Sequence, residues 1–258
     1  MTNALPCWAQ GLAGKKAIVT GGSKGLGAAI SLALAEAGAN VTAIARDAAG
    51  LAELASKHPR ISGWQADICD PAFQSELARR DIGILVNNAG TNSPMPMVEV
   101  TTEVLDRMLN LNVRGAYLVA QAAARAMIAQ GRGGAIVNIT SQMGHVGSPR
   151  RTVYCMTKHA LEGLTKAMAV ELAPHNIRVN SVAPTFIETP MTKPMLDQPD
   201  FRNFVEQMIP LGRIGQPEDV AAAVVYLASP AASMVTGTSL LVDEIGRASC
   251  RERVSSKV

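Results

Sequence analysis

Tyr154 and Lys158 stand four residues apart in the run Tyr-Cys-Met-Thr-Lys, and Ser141 precedes the tyrosine by thirteen residues. On a helix, four residues make about one turn, so the two side chains share a face. A free phenol, with a pKa of about 10, donates and recovers a proton poorly at neutral pH. Beside a fixed ammonium it does so more readily. A carbonyl carbon that accepts a hydride needs such a donor for its oxygen, so these residues predict proton-coupled reduction or its reverse.

A second constellation lies near the start of the chain, in Thr20-Gly-Gly-Ser-Lys-Gly-Leu-Gly27. Glycines at 21, 25 and 27 let a backbone approach a pyrophosphate, and the amides opening the next helix point at the anion. The turn follows an apolar strand and precedes a helical pattern, the context that a dinucleotide site requires. Gly21, Ser23, Lys24, Gly25, Leu26 and Gly27 are therefore candidate cofactor contacts. The second strand ends in Ala45-Arg46-Asp47. An acidic residue closing that strand would grip a free ribose 2′-hydroxyl, which Ala45 cannot do. Arg46 and Lys24 would instead flank a 2′-phosphate, favouring NADP(H) over NAD(H). In the competing arrangement both cations are solvated and Asp47 binds the hydroxyl.

These groups need a scaffold, and the hydrophobic pattern supplies one. Short β-branched runs at 17–20, 41–45, 61–66, 82–87, 135–140, 178–183 and 239–242 alternate with helical patterns. Strands alternating with helices predict right-handed βαβ crossovers and an α/β fold of Rossmann type, with a doubly wound, seven-stranded parallel sheet. The longest helices are expected at 103–129 and 152–173. The second carries Leu161, Leu164, Met168 and Leu172 along one stripe. Segment 184–210 is broken by prolines, with Met191, Met195, Phe201, Phe204 and Met208 between them, a composition suited to a lid over a ligand.

Composition agrees with a single domain over residues 1–243. With 48% hydrophobic and only 3% aromatic residues, the core must be Ala, Val, Ile and Leu, the usual filling of a covered parallel sheet. The net charge of +3 is small and its cations are dispersed, so no nucleic-acid groove is expected. No run approaches the roughly 20 apolar residues that cross a bilayer. Cys7, Cys69, Cys155 and Cys250 form neither a disulfide framework nor a metal-ligand spacing, so no metal is expected and a reducing, cytoplasmic setting fits best. Residues 244–258 are polar and unpatterned, and read like the conceptual translation of a sequencing adapter. They are expected to be a non-native tail that replaces the true C-terminus of an assembled, metagenomic sequence.

Together these residues resemble the short-chain dehydrogenase/reductase family, in its ordinary branch of about 250 residues. Thr-Gly-x-x-x-Gly-x-Gly is present at 20–27, Asn-Asn-Ala-Gly at 87–90, and Ser with Tyr-x-x-x-Lys at 141, 154 and 158. The resemblance implies that Tyr154 is the general acid/base and that Lys158 lowers its pKa and binds the nicotinamide ribose. It also implies that Ser141 holds the substrate oxygen. Asn112, placed by helical spacing among Leu105, Leu109, Ala116 and Val119, would hold a water that links Lys158 to solvent. Asp67 and Ile68 would meet adenine, with N-capping of the next helix as the rival role of Asp67. Asn88 and Gly90 would lie near the adenosine ribose, while Asn87 ties strands together. Pro184, Ile187 and Thr189 would line the nicotinamide and pyrophosphate end, although Thr185 stands where the family usually has glycine.

The activity so implied is interconversion of a ketone or aldehyde with an alcohol by an NADP(H)-dependent homotetramer acting on a small molecule. A 3-oxoacyl thioester and a sugar or polyol remain open as substrates. The glycine spacing does not fit nucleotide-sugar epimerases, and the complete proton-transfer set argues against a non-catalytic NADP-sensing binder. His145 lies on a loop expected to wall the substrate site, where it would either meet a polar substrate group or, the preferred reading, stand exposed, and Cys155 is expected as a small packed residue.

Overall fold

The computed structural model describes residues 11–243, so the tail expected at 244–258 lies outside the described residues. Seven parallel strands form one sheet: β1 (Lys16–Thr20), β2 (Asn40–Ala45), β3 (Ile61–Gln65), β4 (Ile84–Asn87), β5 (Gly134–Ile139), β6 (Ile177–Pro184) and β7 (Ser239–Val242). Their order is β3-β2-β1-β4-β5-β6-β7. The chain winds outward from β1 in one direction and then from β4 in the other. A crevice therefore opens at the carboxyl ends of β1 and β4, where such sheets bind ligands. The expected fold and all seven strands are present, with ends shifted by one or two residues.

Helices cover both faces because each carries one apolar side. On one face Ile30 and Leu34 of α1 (Gly25–Glu36) pack with Val220, Val224 and Leu227 of α9 (Pro217–Ala228) over Val19, Val86 and Val137. On the other, α3 (Pro71–Leu77), α5 (Ala116–Gln130) and α6 (Thr152–Leu172) cover Ile18, Leu85, Ile136 and Val179. The small helix α2 (Ala48–Lys57) closes the β2 side through Leu51 and Leu54. No helix among the described residues is long and apolar enough to cross a membrane.

The helix expected at 103–129 is three pieces. α4 (Thr102–Leu109) runs into a π-helical segment, Asn110–Gly115, before α5 begins. A wide turn of this kind breaks the 3.6-residue period, so the stripe drawn through Asn112 does not continue across it. Segment 184–210 also gains structure of its own. α7 (Lys193–Leu196) and α8 (Pro199–Gln207) enclose Leu196, Val205 and Ile209 with Ile214, and Phe186 meets Phe201 edge-on at 5.7 Å. It is a small helical flap with its own core.

Candidate active site

The end of β5 and the start of α6 bring the expected proton-transfer residues together. Ser141 lies two residues beyond β5, and its Oγ accepts the Met143 amide at 3.2 Å while sharing a hydrogen bond with the Tyr154 phenol. Nearly two turns into α6, Lys158 is 5% exposed; its Nζ donates to the Ile139 carbonyl at 2.8 Å and lies 5.5 Å from the centre of the Tyr154 ring. Thr157, fully buried on the same turn, ties its hydroxyl to the Tyr154 carbonyl.

Burial sets the charge balance of the pair. Burial dominates at Tyr154 and pushes its phenol up to about 12, against the opposing pull of the Ser141 hydrogen bond and the Arg151 charge. Burial pushes Lys158 itself down to about 8, while Glu162 pulls it back up. The ammonium is thus held near the point where it releases a proton.

Asn112 sits in the π-helical segment and is 1% exposed. Its amide does not face apolar neighbours. Oδ1 accepts the Thr91 amide at 2.8 Å, and Nδ2 donates to the Thr91 carbonyl at 2.8 Å and to Thr157 Oγ1 at 3.2 Å. Gly90 approaches the same amide so closely that a Cβ there would lie 3.4 Å from Oδ1. Asn112 therefore clamps the loop after β4 to α6.

The crevice is shaped for a dinucleotide. Gly21 has φ +64°, and a Cβ on Gly27 would fall 2.1 Å from the Gly21 carbonyl oxygen, so the turn tolerates no side chain there. Asn88 braces the turn, donating to the Thr20 carbonyl at 2.8 Å. Ser23 is half-buried, Lys24 exposed at the first position before α1, and Leu26 packs against the core below. Across the crevice, Thr189 and Pro190 lie about a van der Waals contact from Gly25, with a Cβ there 3.7 and 3.5 Å from them. A glycine cradle at a helix N-terminus, closed by a threonine, fits a pyrophosphate.

At the far end of the crevice, Arg46 Nη1 lies 4.0 Å from Asp67 Oδ2, so two residues distant in sequence meet. Asp47 is committed as the N-cap of α2, accepting the Gly50 amide at 3.1 Å. Asp67 is not a helix cap. It accepts the Cys69 amide at 2.9 Å, and the next helix is capped by Asp70. Ile68 is buried in the core between α3 and α5, leaving only its main chain for a ligand. Ile187 is likewise buried at 3%, and its carbonyl accepts the Thr192 hydroxyl at 2.5 Å. Pro184 ends β6 paired with Val242, and Thr185 extends that pairing through its amide. Asn87 links β4 to α5 and β5, through the Ala116 carbonyl and Asn138.

Two residues, Glu162 and Arg151, escape the motif-based expectations, and His145 departs from its own. His145 is not an exposed loop residue: its Nε2 lies 2.9 Å from Ser239 Oγ and 3.2 Å from Glu162 Oε1. Glu162, 4% exposed, also accepts from Thr140 at 2.5 Å, Ser181 at 2.9 Å and Ser239 at 3.0 Å. A carboxylate one turn after Lys158 on a helix carrying an apolar stripe was the signal for it. Arg151, three residues before Tyr154, is the other, and its signal was proximity alone. Cys155 is buried, as expected.

A family model described as enoyl-(acyl carrier protein) reductase matches residues 21–244. The L-xylulose reductase of Mesocricetus auratus is 42% identical over 236 residues, spanning 90% of this chain and 96% of that protein. The carbonyl reductase (NADPH) 2 of Sus scrofa is 37% identical, spanning 89% and 95% respectively. Among solved structures, a gluconate 5-dehydrogenase from Burkholderia cenocepacia J2315, in complex with NADP and tartrate, superimposes with a TM-score of 0.88 at 31% identity, covering 94% of this chain and 99% of that one.

Proposed function

The chain belongs to the short-chain dehydrogenase/reductase family, whose members it matches as an oxidoreductase of carbonyl and alcohol groups, and from that premise we propose that it is an NADP(H)-dependent reductase or dehydrogenase of sugars or polyols. The observation that carries this assignment is the convergence of Ser141, Tyr154 and Lys158 at the carboxyl end of β5, beside the glycine cradle of β1. The sugar class rests on the L-xylulose reductase and gluconate 5-dehydrogenase among the relatives.

Gly21, Ser23, Lys24, Gly25, Leu26, Gly27, Arg46, Asp67, Ile68, Asn88, Gly90, Pro184, Ile187 and Thr189 would hold the cofactor, with Tyr154 and Lys158 at its reactive end. Bound there, the nicotinamide supplies or accepts the hydride. Tyr154 passes the proton to or from the substrate oxygen, and Ser141 donates to that oxygen as charge develops on it. Lys158, held by the Ile139 carbonyl, replenishes the phenol's proton, and Asn112 fixes the loop and helix between which that proton must travel. NADP(H) is favoured over NAD(H) because Arg46 and Lys24 are exposed cations at the ribose end and Asp47 is already spent as a helix cap. The NADPH and NADP named with the relatives agree.

Exposed Tyr117 and Ile128 on α5, and Met156 and Val170 on α6, are apolar residues outside the core. They support association of these helices between copies, hence a homotetramer. The free thiols of Cys69 and Cys155 suit a cytoplasmic setting. Tyr154→Phe tests the proposal. Turnover of every carbonyl substrate should fall at least ~1000-fold while NADPH binding, followed by fluorescence, persists. Undiminished reduction by this variant would refute the mechanism.

A further inference from the structure

Arg151 carries a charge that carbonyl reduction by itself does not require. It stands immediately before α6, three residues from Tyr154, and its charge acts on the phenol. Its side chain is partly buried, and burial pushes its pKa down. One of its amino groups donates to the Met195 sulfur on the flap at 3.2 Å. A guanidinium has five N–H donors and a thioether is a weak acceptor, so this contact leaves most of its capacity unused.

Among the described residues no carboxylate pairs with Arg151. The groups whose charges reach it are Tyr154, which burial keeps protonated, and Cys155. Cations of the flap, by contrast, are engaged: Lys193 with Asp197 at 3.1 Å, and Arg202 with Glu188 at 3.0 Å. Withdrawing a cation from water without a counter-ion is costly. A bound anion at this position would remove that cost.

The facing loop offers the complementary group. The Met95 amide donates to the Arg150 carbonyl at 2.9 Å, which docks the loop after β4 beside Arg151. In that loop Asn92 keeps its Oδ1 buried with no hydrogen-bond partner. Beside the phenol, Arg151 is therefore an underused fork of donors, and the loop docked next to it holds an unsatisfied acceptor. A carboxylate answers the first, and a hydroxyl the second.

We propose that Arg151 is the specificity-determining residue for substrate charge, taking the carboxylate of a polyhydroxy acid whose carbonyl or carbinol carbon is presented to Ser141 and Tyr154. This rests on the proton-transfer role of Tyr154 given above. A carboxylate suits one half-buried guanidinium, whose planar fork it matches in two parallel hydrogen bonds.

The test compares three hexose-derived substrates with NADPH: 5-keto-D-gluconate, D-fructose and D-fructose 6-phosphate. Wild-type kcat/KM should favour the keto acid by at least about tenfold. Arg151→Met should raise KM for the keto acid roughly 30-fold or more, and its loss of kcat/KM for the keto acid should exceed its loss for fructose at least about tenfold. Arg151→Lys should recover part of the loss. Calorimetric binding of D-gluconate to the enzyme with NADP should weaken in parallel, with NADP affinity and melting temperature reporting that each variant is folded. Equal losses on acid and neutral substrates, together with a shifted pH profile, would mean that Arg151 acts through Tyr154, and would overturn the proposal. A preference for fructose or its phosphate would do the same. If no carbonyl compound is turned over, the oxidoreductase assignment fails, and gluconate binding alone decides the role of Arg151.

Discussion

The two ends of the cofactor crevice are built by opposite means. At the proton-transfer end, Lys158, Asn112, Thr157 and Glu162 are each at most 5% exposed, and every one of them has protein partners. At the adenosine end, Lys24 and Arg46 project into water, and Arg46 meets Asp67 only at 4.0 Å. Chemistry that moves a proton needs groups fixed to within tenths of an ångström in a low-dielectric setting, where charges act strongly on one another. Recognition of a phosphate tolerates mobile cations, because attraction to a multiply charged anion is less directional. Burial makes the first region sensitive to any single deletion, and exposure makes the second graded.

Substitutions can break or sharpen that contrast. Beyond loss of the phenol itself, the largest structural effect is expected at Asn112. Asn112→Ala strands the Thr91 amide and carbonyl, and should cost about 2–4 kcal/mol of stability as well as most of the activity. Chemical denaturation against wild type measures it, and a variant of full stability would show that the clamp is dispensable.

A smaller and more specific effect is expected at Glu162. Lys158 is charged below about 8 and neutral above it, and Glu162 favours the charged form. If the ammonium is the active form, kcat/KM for carbonyl reduction should fall as pH rises through that region. Glu162→Gln should then move the falling limb to lower pH, because the group that holds the proton on Lys158 is gone. A limb that stays in place, or moves upward, would separate Glu162 from the proton path.

The smallest effect belongs to the exposed end. Arg46→Ala and Lys24→Ala should each raise KM for NADPH about tenfold, leave KM for NADH nearly unchanged, and weaken further as salt screens the charges. A loss at this end as steep as that at Asn112 would erase the distinction between the two regions.

The sequence went furthest where chemistry depends on spacing. The i, i+4 relation of Tyr154 and Lys158 survives in α6 because a helix converts sequence distance directly into direction. Likewise Gly21 and Gly27 meet because no side chain could stand between them. It misread the helix through Asn112, where periodicity assumes an unbroken α-helix and side-chain bonds to Thr91 accompany a wider turn. It also misread His145, whose partners Glu162 and Ser239 are remote in the chain.

What the sequence determined by itself was therefore the fold, the order of its strands and helices, and the spacing of the proposed proton-transfer set, all carried by local periodicity and short motifs. Tertiary structure alone decided which charges are buried and what they face: Lys158 against the Ile139 carbonyl, Glu162 beneath three hydroxyls and an imidazole, and Arg151 beside a phenol with no carboxylate among the described residues to meet it. Desolvation and Coulomb interactions depend on distance through space, which separation along a chain does not encode.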